Sequence, residues 1–214
     1  MPLIPLLRAE AERRAVLAPG EAIDAARAFA LVRDLTYQRA SASDPETTIR
    51  EWRGTCSGKH HLLQALFEEL GYRTILIAAT HRFTLENTPW APPELRALLA
   101  AGPVPDVHDF LRLQHDPQVE PPRWMTVDAT WPLGAHVLGL PANERFEPGR
   151  DMAVAADVDE LFHVPRDVDQ QQFKQRIIER EFGAAEVERR ERFLAALSRW
   201  LVERVPGPAA PATG

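Results

Sequence analysis

One cysteine, Cys56, stands in 214 residues. It cannot close a disulfide within the chain, so nothing points to an oxidising compartment. No apolar run approaches the roughly 20 residues of a membrane-spanning helix. The apolar start, Met1 to Leu7, is short, is broken by Pro2 and Pro5 and lacks a basic stretch, so it does not read as a secretory signal. A cationic surplus is missing too: 31 acidic against 25 basic side chains give a formal charge of −6. Nucleic acid and anionic membranes need clustered Lys and Arg, so neither is expected as a partner. His60-His61 find no second Cys and no His-x-x-x-His pair to complete a metal ligand set. Phosphate-loop patterns and internal repeats are absent as well. The expectation is a cytoplasmic protein without metal or cofactor.

Hydrophobic residues make up 45% of the chain, enough to fill a core without covalent staples. A single domain is expected over residues 1–205, with its core at about 50–132, a helical extension at about 169–204 and a disordered tail at 206–214. Helical spacing of Ile23, Ala26, Phe29 and Ala30 predicts a helix from Glu21 to Arg33, and the small polar stretch Ala40 to Thr48 predicts a loop. The best-defined helix begins near Thr55 to Ser57, carries Leu62, Leu63, Leu66, Phe67 and Leu70, and stops at Gly71. Strands are expected at Arg73 to Ala79, Val107 to Leu113 and Trp124 to Ala129, the last two paired antiparallel across a loop with Pro117, Pro121 and Pro122. A short helix is read at Pro93 to Ala101 inside a proline-rich insertion from Glu86 to Pro105, and another near Asp157 to Phe162. Asp169 to Arg204 reads as helical, interrupted at Gly183.

Arg53-Gly54-Thr55-Cys56-Ser57-Gly58-Lys59 sets the cysteine in a small-residue turn at the first turn of an amphipathic helix. Free N–H groups and the positive end of the helix dipole favour a thiolate there, and the thiolate is the nucleophile. The same N–H groups, Ser57 among them, can receive the oxyanion formed when a carbonyl is attacked. A nucleophile needs a base and the base an orienter. His108 opens one expected strand. Asp128 lies in the apolar stretch Val127-Asp128-Ala129 of the next, where a carboxylate needs a partner. A lone cysteine is more often an inert core thiol, so the reading gains weight from the three together. Lys59 reads as a solvated surface cation, and His60 and His61 as facing a cleft or solvent.

Gly54 to Lys59 followed by Leu62-Leu63 and Leu70-Gly71-Tyr72, with Val127-Asp128-Ala129-Thr130-Trp131 downstream, resembles the core of transglutaminase-like proteins over roughly residues 50–132. The resemblance implies an α+β fold in which N-terminal helices and the Cys-bearing helix pack on an antiparallel β-sheet, a papain-like core with a helical C-terminus. It implies a Cys56–His108–Asp128 triad acting on a peptide, protein or small amide or ester. It also implies an upstream oxyanion donor, for which Trp52 and Tyr37 are both possible. Two departures stand out. The Cys-to-His gap is long, which the insertion accounts for. His108 is followed by Asp109-Phe110 rather than a small residue and an aromatic, so His81 and His115 compete as the base. Inactive members of such a family serve as binding modules, the alternative here.

Overall fold

A computed structural model describes residues 2–116, 119–166, 168–205 and 207. It is an α+β fold in which a four-stranded antiparallel sheet, ordered β3-β2-β1-β4, is surrounded by helices. In chain order these are α1 (Leu3–Arg13), α2 (Ala25–Arg33), α3 (Pro45–Glu51), α4 (Cys56–Glu69), β1 (Arg73–Phe83), α5 (Pro93–Ala100), β2 (Val104–Asp116), β3 (Arg123–Val127), a 3-10 turn (Leu133–Leu138), β4 (Glu160–His163), α6 (Gln170–Phe182) and α7 (Ala184–Arg204).

The Cys-bearing helix α4 packs on β1 and β2. Leu62, Leu63, Leu66 and Phe67 are fully buried against Leu76, Ala78, Val107, Leu111 and Val127, with α1 and α2 completing this main core. A second apolar cluster lies across the sheet's far end, where Phe193, Ala196, Leu197 and Leu201 of α7 meet Leu95 and Leu99 of α5, Phe83 and Trp131. β2 is the strand between them. With α4, α6 and α7 all packed against it, it buries Asp106, His108, Asp109 and Gln114 along with its apolar residues. Polar groups in a central strand are expensive unless partnered, and these mark the place to look for a candidate site.

The N-terminal helix and the break at Gly183 follow the sequence-based expectation, and several other elements differ from it. The N-terminal stretch is a helix, because Pro5 falls in a first turn where no N–H is needed. The helix expected from Glu21 begins at Ala25, where Asp24 accepts the Arg27 N–H as its cap. The expected loop ends early: Asp44 caps α3 through the Thr47 N–H and Pro45 opens it. β1 runs on to Phe83, so His81 lies within it, and β2 extends to Asp116, so His115 is in the strand. The helix expected near Asp157 to Phe162 is instead the edge strand β4, paired with Ile77–Thr80. α6 and α7 are separated at Gly183, whose φ of 89° an L side chain rarely adopts. Pro117 and, Gly207 apart, the expected tail at 206–214 lie outside the described residues. Among the described residues no helix is long and apolar enough to cross a membrane.

Candidate active site

Cys56 is the first residue of α4, behind Thr55 in extended conformation; the Thr55 hydroxyl makes no cap hydrogen bond. The close turn before it has a packing reason. A Cβ on Gly54 would lie 3.3 Å from the Lys59 side chain, the Lys59 nitrogen and the Thr48 methyl, so the glycine lets α3 and α4 meet. A backbone bridge between Thr36 and Arg53 then lays residues 36–38 alongside, which brings Tyr37 to the same cavity wall as Cys56.

His108 is paired with Ala79 in the β1–β2 register. Asp128 follows the end of β3 rather than lying within it. Continuing the Leu111↔Val127 pairing by one residue sets Asp128 opposite Phe110, two residues from His108 and so on its side of the strand. His108 Nε2 and Asp128 Oδ2 are 2.7 Å apart. The carboxylate also accepts the N–H of Thr130 at 2.9 Å and of Ala155 at 2.8 Å. Burial opposes its ionisation, but His108 and these donors hold its pKa well below the usual carboxylate range.

With Nε2 occupied, His108 offers Nδ1 to the thiol. Burial works against a charged His108, but the Asp128 carboxylate and the Cys56 sulfur outweigh it and push its pKa up to about 10. Burial likewise raises Cys56, and the nearby Lys174 ammonium and the His108 hydrogen bond overcome this, leaving the thiol below its ordinary value. Cys56 is only 5% exposed. It opens on a cavity of about 310 Å³ whose walls come from residues 37–39 and 55–57, Asp106, Gln171 and the α7 residues Arg190 to Arg199. A second cavity of about 390 Å³, reaching Lys174, shares Arg39, Thr55, Gln171, Arg190 and Glu191 with it. The Glu86–Pro105 insertion lines neither cavity; its helix α5 packs on α7.

The other candidate residues fall as follows. Ser57 is buried and lines the Cys56 cavity. Trp52 does not line it. Its indole is in the main core with the Arg14 guanidinium 5.3 Å from the ring centroid, so its position does not suit an oxyanion donor. Of the two upstream candidates, Tyr37 is the one at the cavity, and burial together with the Cys56 and Asp106 charges keeps its hydroxyl protonated, with a pKa well above 10. His81 pairs with Asp106 at a long 3.5 Å, its ring 6.1 Å from that of His108. His115, near the far end of β2, sits against Gly149. Neither is hydrogen-bonded to Asp128.

Three residues beside the site were not read as part of it. His60, expected at a cleft or surface, is fully buried. Its Nε2 accepts the Ala129 N–H at 2.8 Å, which puts the ring proton on Nδ1, donated to the Cys56 carbonyl at 2.8 Å. Burial lowers its pKa to about 4. His60 is therefore a neutral tie between the Cys56 turn and the end of β3, and its 3.6 Å approach to Asp128 is not an ion pair. Lys59, expected on the surface, is also fully buried, donating to the carbonyls of Arg33 and Thr130 at 2.8 and 3.0 Å. Lys174 of α6 reaches Cys56 Sγ at 3.4 Å, the Val107 carbonyl at 2.6 Å and Asp109 Oδ2 at 3.1 Å. One signal was available: Lys59 and Lys174 are the only lysines in a chain whose other side-chain cations are arginines.

Among the described residues no cluster of His, Cys, Asp and Glu is arranged to hold a metal ion. The arrangement can ionise a thiol, carry a proton on an oriented imidazole and admit a small group beside the sulfur. Comparison with family models, with curated proteins and with solved structures gives no match to this chain.

Proposed function

We propose that the protein is a cysteine-dependent acyl-transfer enzyme or amide hydrolase working through a thioacyl intermediate on Cys56. The observation that carries the reading is an oriented imidazole relay, His108 Nε2 lying 2.7 Å from a buried Asp128, in a fold whose single cysteine opens a helix. Such a relay has one common use: to hold a thiolate ready and then manage a proton.

The sulfur attacks the carbonyl carbon of an amide, ester or thioester, forming the S–C bond while the carbonyl electron pair moves to oxygen. Collapse breaks the bond to the leaving group, and imidazolium His108 gives its proton to the departing amine. Water or an acceptor amine then attacks the thioester, and His108 takes its proton. Release of the acyl product returns the thiolate. Asp128 fixes the imidazole tautomer and supports its charge throughout. Tyr37 and Ser57, which line the Cys56 cavity, and the first N–H groups of α4 would serve as donors to the oxyanion. The substrate is a peptide, a protein or a small amide or ester.

Membership of the transglutaminase-like superfamily, with a papain-like core, belongs to this proposal. It is supported by the chain order of Cys56 on a helix start, His108 on a strand and Asp128 after the next, with α4 packed on the sheet.

The test is the rate of Cys56 alkylation by iodoacetamide against pH; the single cysteine makes the signal unambiguous. The wild-type curve is expected to inflect well below the free-thiol value of about 8.5, and His108→Ala to move it upward. A curve unmoved by His108→Ala would overturn the pair and turn the reading to a binding module on a catalytic-looking fold.

A further inference from the structure

Lys174 comes from α6, in the C-terminal helices that the triad reading leaves unused. Its ammonium is buried and has three N–H donors. One goes to the Val107 carbonyl at 2.6 Å, beside His108 in sequence, and one faces Asp109 Oδ2 at 3.1 Å. The third faces Cys56 Sγ at 3.4 Å. A salt bridge alone would satisfy Lys174 and Asp109 anywhere in the protein; here the pair is set against the one nucleophilic atom. The residue type matters too. The chain places arginine at nearly every cationic position and keeps lysine for two buried sites. An ammonium is a compact point charge, where a guanidinium is a broad plane, and the former can face a sulfur, a carbonyl and a carboxylate at once.

We propose that Lys174 is a catalytic residue: its ammonium shares with His108 the task of holding Cys56 anionic, then stabilises the charge that passes from sulfur to the substrate oxygen, and Asp109 sets how strongly it does so. This rests on the thiol chemistry proposed above. On attack, the negative charge moves only two bonds, from Sγ through the carbonyl carbon to oxygen, so a cation in contact with Sγ remains close to it. Lys174 gives up no proton in this step. Its charge is present whether or not His108 is protonated, so the thiolate outlasts the loss of the imidazolium. Burial opposes the Lys174 charge, and Asp109 and the Cys56 sulfur outweigh it, holding its pKa above the ordinary lysine value.

The experiment is the iodoacetamide pH profile of the full chain in wild type, Asp109→Asn, Lys174→Met/Asp109→Asn and His108→Ala, each checked for fold by circular dichroism. The double variant removes both charges and leaves no buried carboxylate unpaired. Asp109→Asn is nearly isosteric and keeps the lysine, so it reports even where the double variant fails to fold. The two are expected to move the inflection in opposite directions: downward in Asp109→Asn, where the ammonium acts on sulfur uncompensated, and upward by about one pH unit or more in the double variant. His108→Ala is expected to stop short of about 8.5, because Lys174 remains. Wild-type inflections in both Asp109→Asn and the double variant would overturn the proposal and make Lys174 a structural tie, while a His108→Ala shift in the same series would leave the triad standing. Movement with Asp109 and Lys174 but none with His108→Ala would uphold Lys174 and remove His108 from the pair.

Discussion

Lys59 shows what a single buried side chain does to pH dependence. Burial lowers its pKa from 10.5 to about 7, against the support of Asp34. The folded chain therefore sheds this proton before the unfolded chain does, so between those values the unfolded state holds more protons and stability rises with pH. Lys59→Met removes this contribution. Urea unfolding at about pH 7 and about pH 9 is expected to show the wild type gaining on the variant at the higher pH; a pH-independent difference would mean that the amine is not perturbed. His108 has the opposite sign. Its pKa is raised from 6.5 to about 10, so its stabilisation is complete below the lower value and is lost as pH climbs through the upper one. Cys56, His108 and Asp128 could be named as candidates because their types and order limit what they can do. The lysines could not, because a lysine is by default solvated and only tertiary packing shows otherwise.

Among the elements, α3 was the least visible and has the sharpest effect on geometry. It ends at Trp52 with φ 55°, a left-handed conformation that is strained for a bulky residue. The turn continues through Gly54 into the Cys56 helix. The indole, 3% exposed, packs in the main core and holds the turn in place. Trp52→Ala is expected to cost about 3–5 kcal/mol of stability by chemical denaturation. Trp52→Phe is expected to keep the alkylation profile of Cys56 in the folded protein. An altered profile with unchanged stability would instead place Trp52 in the chemistry. The long helices α4, α6 and α7 were readable from 3.6-residue periodicity and from glycine at Gly71 and Gly183. β4 was not, since four residues carry too little pattern. Pairing with Ile77–Thr80 selects its conformation. The ends of β1 and β2 were missed for a related reason: His81 and His115 are polar and read as loop, yet His81 continues the ladder opposite Asp106 and His115 lies at the register shift between Gln114 and Asp116.

Across the whole molecule, the candidate site lies where the two apolar clusters meet. Cys56 comes from the α4 layer, His108 and Asp128 from the sheet, and Lys174 from the C-terminal helices. The walls of the Cys56 cavity come largely from residues 37–39 and from α7, so on the proposed reading an N-terminal segment and the last helix together set access to the thiol. Ser198→Trp, placed in that wall, is expected to slow a bulky maleimide far more than iodoacetamide. Equal slowing would show that reagents reach Cys56 by another route.

The contact between Lys174 and Cys56 spans 118 positions of the chain, and this has a consequence for biosynthesis. A growing chain exposes its thiol long before α6 has been made. Until then Cys56 has neither this ammonium above it nor the covering helices, and it is an ordinary cysteine. Ribosome-bound chains stopped before Lys174 should react with iodoacetamide at neutral pH as a free thiol does, and the released protein faster. On the proposed reading, the thiol would stay latent during translation and gain its reactivity only with the arrival of its own C-terminal helices.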